Sequence, residues 1–443
     1  MRHVIKSLEE PEIALMDPIR KAAIAIVMAP ILAAAFMVLL AAALAVPDKA
    51  VARNVAEDWE LFGHARLPSF TGRKIDVGTE CIGVSFGLGD APHVSPFEAA
   101  ARAPVIFDCP SLLGHVLRGE TSNAGDYARY WHGYAAISRP LLALMPYHDV
   151  RMLTFNAMAA LFAFLAAGLW RAGGWRLALG ALAPFYFVNY SGFFELWTKA
   201  AGWIVMLVAA NIIVRTTWTR ARSPYLLFFF MGAMTAYVDL LATPLLVFGF
   251  PAALYFLLRR REAEERPLDE IAHLALIGAF WTLGYGGLWL AKIAIAAAVA
   301  GPEVWASTVE MASFRLNGAF ESVKLFPGAA TLENFEAFKG LWGGLAILAF
   351  FIAPLARKGA RARLVATLRA SPALALLAVS PFVWFEILSN HSQIHGLFTH
   401  ANLALTFLPF SLALTNAGAL RPASTSGLHP AGRVAATDAP RMG

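Results

Sequence analysis

Two carboxylates, Asp76 and Glu80, stand four residues apart in Gly72-Arg73-Lys74-Ile75-Asp76-Val77-Gly78-Thr79-Glu80-Cys81. On a helix that spacing puts both on one face, although Gly78 weakens a helix here. Paired carboxylates suit general-base work on a hydroxyl, or the binding of a hard cation. Asp76 is the expected base and Glu80 its companion, against the plain alternative of a solvated loop. Arg129, Tyr130, Trp131 and His132 form a second group inside the aromatic run Tyr127–Tyr134. Such faces stack on sugar rings, and equally form the aromatic belt at a membrane boundary.

A third group comprises Lys199, Asp239, Lys292, Glu386, His391 and His395, ionisable residues at the ends of apolar runs. Ionisable groups at membrane depth are costly and are functional candidates for that reason. The lysines and histidines could neutralise a departing phosphate. Each also has a structural use: Glu195 and Lys199 suit an i,i+4 ion pair, Lys292 suits snorkelling to the interface, and Asp239 suits a helix cap. His391 and His395 have the spacing of two metal ligands. No clear third ligand accompanies them, so no metal site is assigned, and the carboxylates leave room for a divalent cation. No Walker pattern and no G-x-G-x-x-G after a strand is present.

Cys81 and Cys109 are the only cysteines. Both fall in one long segment expected outside the cytosol, where oxidation is allowed. A disulfide between them is expected, with two free thiols as the alternative.

The elements that must position these residues are apolar. Of 443 residues, 58% are hydrophobic and 15% charged, and mean hydropathy is +0.58. Soluble domains run about 45–50% apolar and about 25% charged, so a soluble enzyme and a disordered chain are both excluded. The net charge of +6 sits between apolar runs, which points to topology and not to nucleic acid. Runs of about 20 apolar residues predict ten transmembrane helices. The first covers residues 22–46, after a cytoplasmic N-terminus of residues 1–21. It reads as an uncleaved anchor, since it is too long for a signal h-region. Spans two to seven lie within residues 150–300: Val150–Trp170, Trp175–Tyr190, Gly192–Val214, Pro224–Leu241, Thr243–Leu258 and Ile271–Val299. Spans eight to ten lie within 337–414: Phe338–Leu355, Pro372–Leu388 and Phe398–Leu414. Lys and Arg cluster at alternate turns, from Arg20 and Lys21 through Arg215, Arg259 and Arg260 to Arg357–Arg369. That pattern puts both termini in the cytoplasm. Residues 47–149 and 301–336 become outer loops. In the first, Tyr130, Tyr134, Ile137, Leu141 and Leu144 predict an amphipathic surface helix. Residues 421–443, rich in Ala, Pro, Ser and Gly, read as a disordered cytoplasmic tail.

Several segments together resemble a family of uncharacterised bacterial multi-pass membrane proteins. They are Asp76–Glu80, Tyr127–Tyr134 with Arg139–Leu142, Tyr237–Pro244, Gly284–Lys292, and Ser389–His395 with Phe398-Thr399. The plan is similar to the GT-C superfamily of integral-membrane glycosyltransferases, which carry a long first outer loop and a catalytic acid within it. The resemblance implies an all-α polytopic protein of the bacterial inner membrane. It implies transfer of a sugar from a polyprenyl-phosphate donor to a glycan or other hydroxyl acceptor at the outer face. Membrane lipid and the lipid-linked sugar are the expected partners, and no nucleic acid is. The rival readings are a transporter or flippase for a lipid-linked saccharide, and a non-catalytic subunit of an envelope assembly complex. On the enzyme reading, the eight residues Asp76, Glu80, Lys199, Asp239, Lys292, Glu386, His391 and His395 should line one cavity touching the aromatic run.

Overall fold

Apolar runs in a chain with few strand-favouring stretches give helices, and helices dominate the computed structural model of this protein. It describes residues 2–417 except 63–65, 69–73, 89–93, 121–123, 189, 217–223, 261–265, 321–322, 339–346, 348, 351 and 354. Side chains of residues 2–16, 66–68, 74–76 and 191 are also outside the description. The helices, in order, are α1 (Arg2–Leu44), α2 (Asp48–Ala56), α3 (Trp59–Phe62), α4 (Gly78–Ser85), α5 (Pro96–Arg102), α6 (Cys109–Arg118) and α7 (Ala135–Leu144). Then come α8 (Tyr147–Phe187), α9 (Tyr190–Glu195), α10 (Trp197–Arg215), α11 (Tyr225–Val238), α12 (Pro244–Arg259) and α13 (Pro267–Ala300). The remainder are α14 (Glu303–Asn317), α15 (Ala329–Glu336), α16 (Lys358–Ala370), α17 (Pro372–Ile387), α18 (Ser389–Ile394), α19 (Gly396–Thr399) and, after a 3-10 turn at His400–Leu403, α20 (Ala404–Leu414).

Among the described residues, five stretches are long and apolar enough to cross a bilayer: Asp17–Leu44, Tyr147–Phe187, Trp197–Arg215, Pro267–Ala300 and Gly396–Leu414. The pair α16 and α17, bent by 98°, adds a sixth if taken as one broken span. This is fewer than the ten expected, for three reasons. The runs Val150–Trp170 and Trp175–Tyr190 belong largely to α8, which breaks at Gly173 and Gly174, the latter at φ 76°. The Phe162 and Phe185 rings lie 5.8 Å apart, whereas 23 residues of straight helix would separate them by about 34 Å. So α8 doubles back on itself as a hairpin. Next, α11 and α12 have 14 and 16 residues, about 21 and 24 Å, short of a core about 30 Å thick. Finally, most of Phe338–Leu355 falls outside the described residues, as does the tail 421–443.

The bundle core is aromatic. Phe185 of α8 sits 5.5 Å from Trp203 of α10 and 4.8 Å from Phe250 of α12, ring to ring. Helices α11 and α13 touch backbone to backbone. A Cβ on Gly232 would lie 2.0 Å from the Trp281 carbonyl oxygen, and one on Gly284 would lie 2.1 Å from that of Phe229. Only residues without a Cβ allow that approach.

Residues 47–149 form a cap with its own core, including Val51, Val55, Phe62, Leu112, Leu142 and Tyr147. Two short antiparallel ladders interrupt the helices: β1 (Arg66–Pro68) with β2 (Lys74–Asp76), and β3 (Pro104–Val105) with β4 (Gly125–Asp126). Cys81 and Cys109 are joined, with Cα atoms 5.5 Å apart, inside the range a bridge spans. The expected surface helix over the aromatic run is shorter than the spacing suggested. Tyr130 and Tyr134 are buried in the interior, and helix begins only at Ala135.

Candidate functional site

Four of the charged residues complete the ends of helices from other parts of the chain. Helix ends leave orphan N–H or C=O groups and a partial charge. Glu80 accepts from the backbone N–H groups of Trp197 at 3.1 Å and Thr198 at 3.2 Å, and from the Thr198 hydroxyl. It thus caps the N-terminus of α10. Burial holds its carboxyl above the usual carboxylate range despite those donors. Glu386 does the same for α15, accepting from the N–H groups of Gly328 at 2.9 Å and Thr331 at 3.1 Å, and from the Thr331 hydroxyl at 2.8 Å. Lys292, fully buried in α13, donates to the carbonyls of Ala100 at 2.9 Å and Ala101 at 2.5 Å in the last turn of α5. Arg139 donates to the carbonyls of Ala43, Val46 and Phe86 and to Asp48, closing the C-terminal end of α1.

Trp131 and His132 are structural in the same way. Trp131 Nε1 donates to the Leu288 carbonyl at 2.8 Å, one turn before Lys292. His132, at φ 55°, places Nδ1 2.7 Å from the Tyr134 hydroxyl and stacks on Phe86 at 5.0 Å. Burial pushes its imidazole down to about 3, so it is neutral. Glu195 pairs with Arg151 at 2.7 Å. Glu80, Lys292 and Glu386 are thus each engaged at a separate helix end. The Asp76 side chain lies outside the described residues, so only its strand pairing opposite Arg66 is seen.

The remaining residues converge at the same end of the bundle. Asp239 follows α11 and is 2% exposed. Its carboxylate packs on α10, 3.4 Å from where Gly202 would carry a Cβ. Lys199 lies one turn earlier on that helix. The amides of Leu241, Ala242 and Thr243 face the Asp239 carboxylate, but neither oxygen gains a hydrogen bond of good geometry among the described residues. Asp239 is thus not the cap of α12. Leu241, at φ 65°, offers its carbonyl to His391 Nε2 at 2.9 Å, leaving His391 Nδ1 buried without a partner among the described residues. Burial, with His395 and Arg315 nearby, pushes the His391 imidazole well down. The His391 and His395 rings are 4.7 Å apart, and His395 stacks on Phe398 at 5.0 Å. Lys199 Nζ stands 4.9 Å from the centre of the Phe398 ring.

No family model, curated protein or solved structure matches the chain.

The chemistry is therefore read from the residues themselves. Arg315 closes the group from α14, with Nη1 2.8 Å from His395 Nε2. Arg129 lies over the Tyr127 ring at 4.2 Å and near that of Tyr130 at 5.7 Å. Tyr130 lies within electrostatic reach of Arg315, and burial pushes its phenol up to about 12. Tyr285 of α13 lies within reach of both Asp239 and Tyr130, which links the two halves. Both Asp239 oxygens, His391 Nδ1, Arg129 Nε and Arg315 Nε are buried without hydrogen bonds among the described residues. Each such atom costs about 1–3 kcal/mol unless something occupies it. A concentration of them marks a place built to receive polar groups. No group of three or more His, Cys, Asp or Glu meets among the described residues.

Arg315 and Tyr285 were missed in the sequence. Arg315 sits on a helix read as loop, and Tyr285 looks like an ordinary aromatic of an apolar span. The opposite end of the bundle holds a smaller buried group, where the Ser371 hydroxyl donates to Glu270, with Arg260 3.7 Å from Glu270. Buried polarity is thus not confined to one end.

Proposed function

We propose that this chain is a bacterial inner-membrane glycosyltransferase with a GT-C-like plan. It transfers a sugar from a polyprenyl-phosphate donor to a hydroxyl acceptor at the outer face. The observation that supports this reading is Asp239, a buried carboxylate lacking well-formed hydrogen bonds among the described residues. It is packed on α10 one turn from Lys199, followed two residues on by the carbonyl that meets His391, and joined through Tyr285 and Tyr130 to Arg129 and Arg315. A base and a phosphate site are the two parts such a transfer needs. Asp239 takes the acceptor's hydroxyl proton, and the acceptor oxygen attacks the anomeric carbon. The bond from that carbon to the phosphate oxygen breaks, and the polyprenyl phosphate leaves with the electron pair. Lys199, Arg129 and Arg315 stabilise the charge it gathers. Asp239 stands here in the role first expected of Asp76.

The outer location follows from charge. Arg215, Arg259 and Arg260 end α10 and α12 at the far end of the bundle, and basic residues favour the cytoplasmic side. Both termini are then cytoplasmic. The test is an assay of purified protein in lipid with radiolabelled polyprenyl-phosphate sugars and hydroxyl acceptors. Label should pass to the acceptor with release of polyprenyl phosphate, and Asp239→Asn should abolish it. Movement of the intact lipid-linked sugar across the bilayer, without cleavage, would overturn the reading in favour of transport. Full activity in Asp239→Asn would remove Asp239 from the chemistry.

A further inference from the structure

Helix α14 has three faces, where a solvated helix has two. Val304, Thr308, Met311 and Arg315 point into the protein and are buried or half-buried. Trp305, Val309, Ala312 and Leu316 are exposed, Val309 at 63%. Glu303, Ser307, Glu310 and Asn317 are also exposed. At about 100° per residue the three sets centre at roughly 20°, 110° and 250° around the axis. Water on both exposed sectors would not explain why one is purely apolar while the other holds the exposed polar residues, with half-buried Phe314 as its one aromatic, packed on Phe320. A headgroup layer would, since it offers acyl chains to one side and water to the other.

We infer that α14 lies flat in the headgroup layer of the bilayer, with Trp305, Val309 and Leu316 against acyl chains and Glu303, Ser307 and Glu310 in water. Continuity with the spans carries this. The helix follows α13, a span, after only Gly301 and Pro302. It is pinned there by Val304 packing on Ile293 and Ala296. The apolar surface continues beyond it through Phe320, Leu325 and Phe326, which are 50–71% exposed. Trp305 is a residue type that favours this depth. The fourth residue of the inner face is Arg315, which meets His395. The lipid surface therefore borders the wall of the site, separated from it by the thickness of one helix.

The test uses the full chain in nanodiscs of phosphatidylethanolamine and phosphatidylglycerol. Because Cys81 and Cys109 are bridged, an introduced cysteine is the single reactive thiol. Nitroxides at Val309→Cys and Ser307→Cys are compared by power saturation with oxygen and with a water-soluble nickel chelate. The label at 309 should favour oxygen several-fold over the label at 307. Equal access to the nickel chelate at both would place the apolar face in water and overturn the inference. Exclusion of both relaxers at 309 would show a covering protein surface and also overturn it. Leu316→Cys with Asn317→Cys repeats the comparison if the first pair does not fold.

Discussion

Arg315 Nη1 lies 2.8 Å from His395 Nε2, although eighty residues separate them. A guanidinium has only donors, so in this contact the imidazole nitrogen is the acceptor. The contact fixes the guanidinium beside the His391–His395 pair. Arg315→Lys keeps the charge but loses the planar fork. It should raise the KM for the lipid-phosphate donor by about tenfold, or about 1.4 kcal/mol, with a smaller change in kcat. Steady-state kinetics over a donor series would show this. A change confined to kcat would place Arg315 outside donor binding.

Asp239 and Glu80 are both buried carboxylates with opposite employment, and their amides should separate them. Asp239→Asn should reduce transfer by about 10²–10⁴-fold. It should leave the melting temperature unchanged or raised, because it removes a charge from a dry site. Glu80→Gln should weaken the cap of α10 and lower stability by about 1 kcal/mol, with activity per folded molecule largely kept. Thermal melts and turnover measured on the same preparations decide the matter. Equal loss of both properties in both variants would contradict the division.

Lys292→Met keeps the length of the side chain and removes its donor. The carbonyls of Ala100 and Ala101 then lose their partner inside the protein, at a cost of about 1–3 kcal/mol. The cap of residues 47–149 should become more sensitive to limited proteolysis while the bundle stays resistant. Cleavage unchanged from the parent chain would count against the clamp.

Acid should destabilise the cap through His132. In the folded chain burial pushes this imidazole down to about 3, against about 6.5 when unfolded. Above pH 6.5 neither state carries the proton. Below it the unfolded chain gains one that the folded chain refuses, so stability falls as pH falls, and does so down to about pH 3. At pH 5 the loss is about 2 kcal/mol. His391 acts in the same direction, whereas Glu80, whose carboxyl is raised, acts in the opposite one. His132→Asn, which tolerates a positive φ, should flatten the acid limb of a melting-temperature curve. An unaltered limb would assign the acid sensitivity elsewhere.

Gly232→Val should be among the most damaging single changes in the bundle. Its side chain would meet the backbone of α13, not a movable side chain. Loss of the folded species in detergent gel filtration is the expected result. A well-folded variant would show that α11 and α13 are not in backbone contact.

The helical class was legible because apolar runs and Lys/Arg placement survive in one dimension. Span count was less so. Hydropathy separates Val150–Trp170 from Trp175–Tyr190, and α8 does break and double back between them at Gly173 and Gly174. What hydropathy cannot show is that α11 and α12 are too short to cross a bilayer unaided. Glu80, Lys292 and Glu386 were also legible as residues to place, since charges beside apolar runs stand out; Glu80 and Lys292 are buried and Glu386 is exposed. Their roles were not, because a carboxylate capping a helix 117 residues away and a carboxylate awaiting a substrate look alike until the helix end is placed. His391 meets the loop that follows Asp239 at the Leu241 carbonyl, through a bend at Leu241 that hydropathy does not register.

The bonds from α13 to α5 set an order on the making of this protein. Lys292 emerges from the ribosome 192 residues after Ala100, which at about 5–20 residues per second is roughly 10–40 s of synthesis. For that interval the cap has left the ribosome, held to α1 through Arg139, while the clamp from α13 does not yet exist. Its short helices and the Cys81–Cys109 loop are what it can assemble alone. The Cys81–Cys109 bridge therefore matters most during synthesis, when it ties α4 to α6 before the α13 clamp can close over α5.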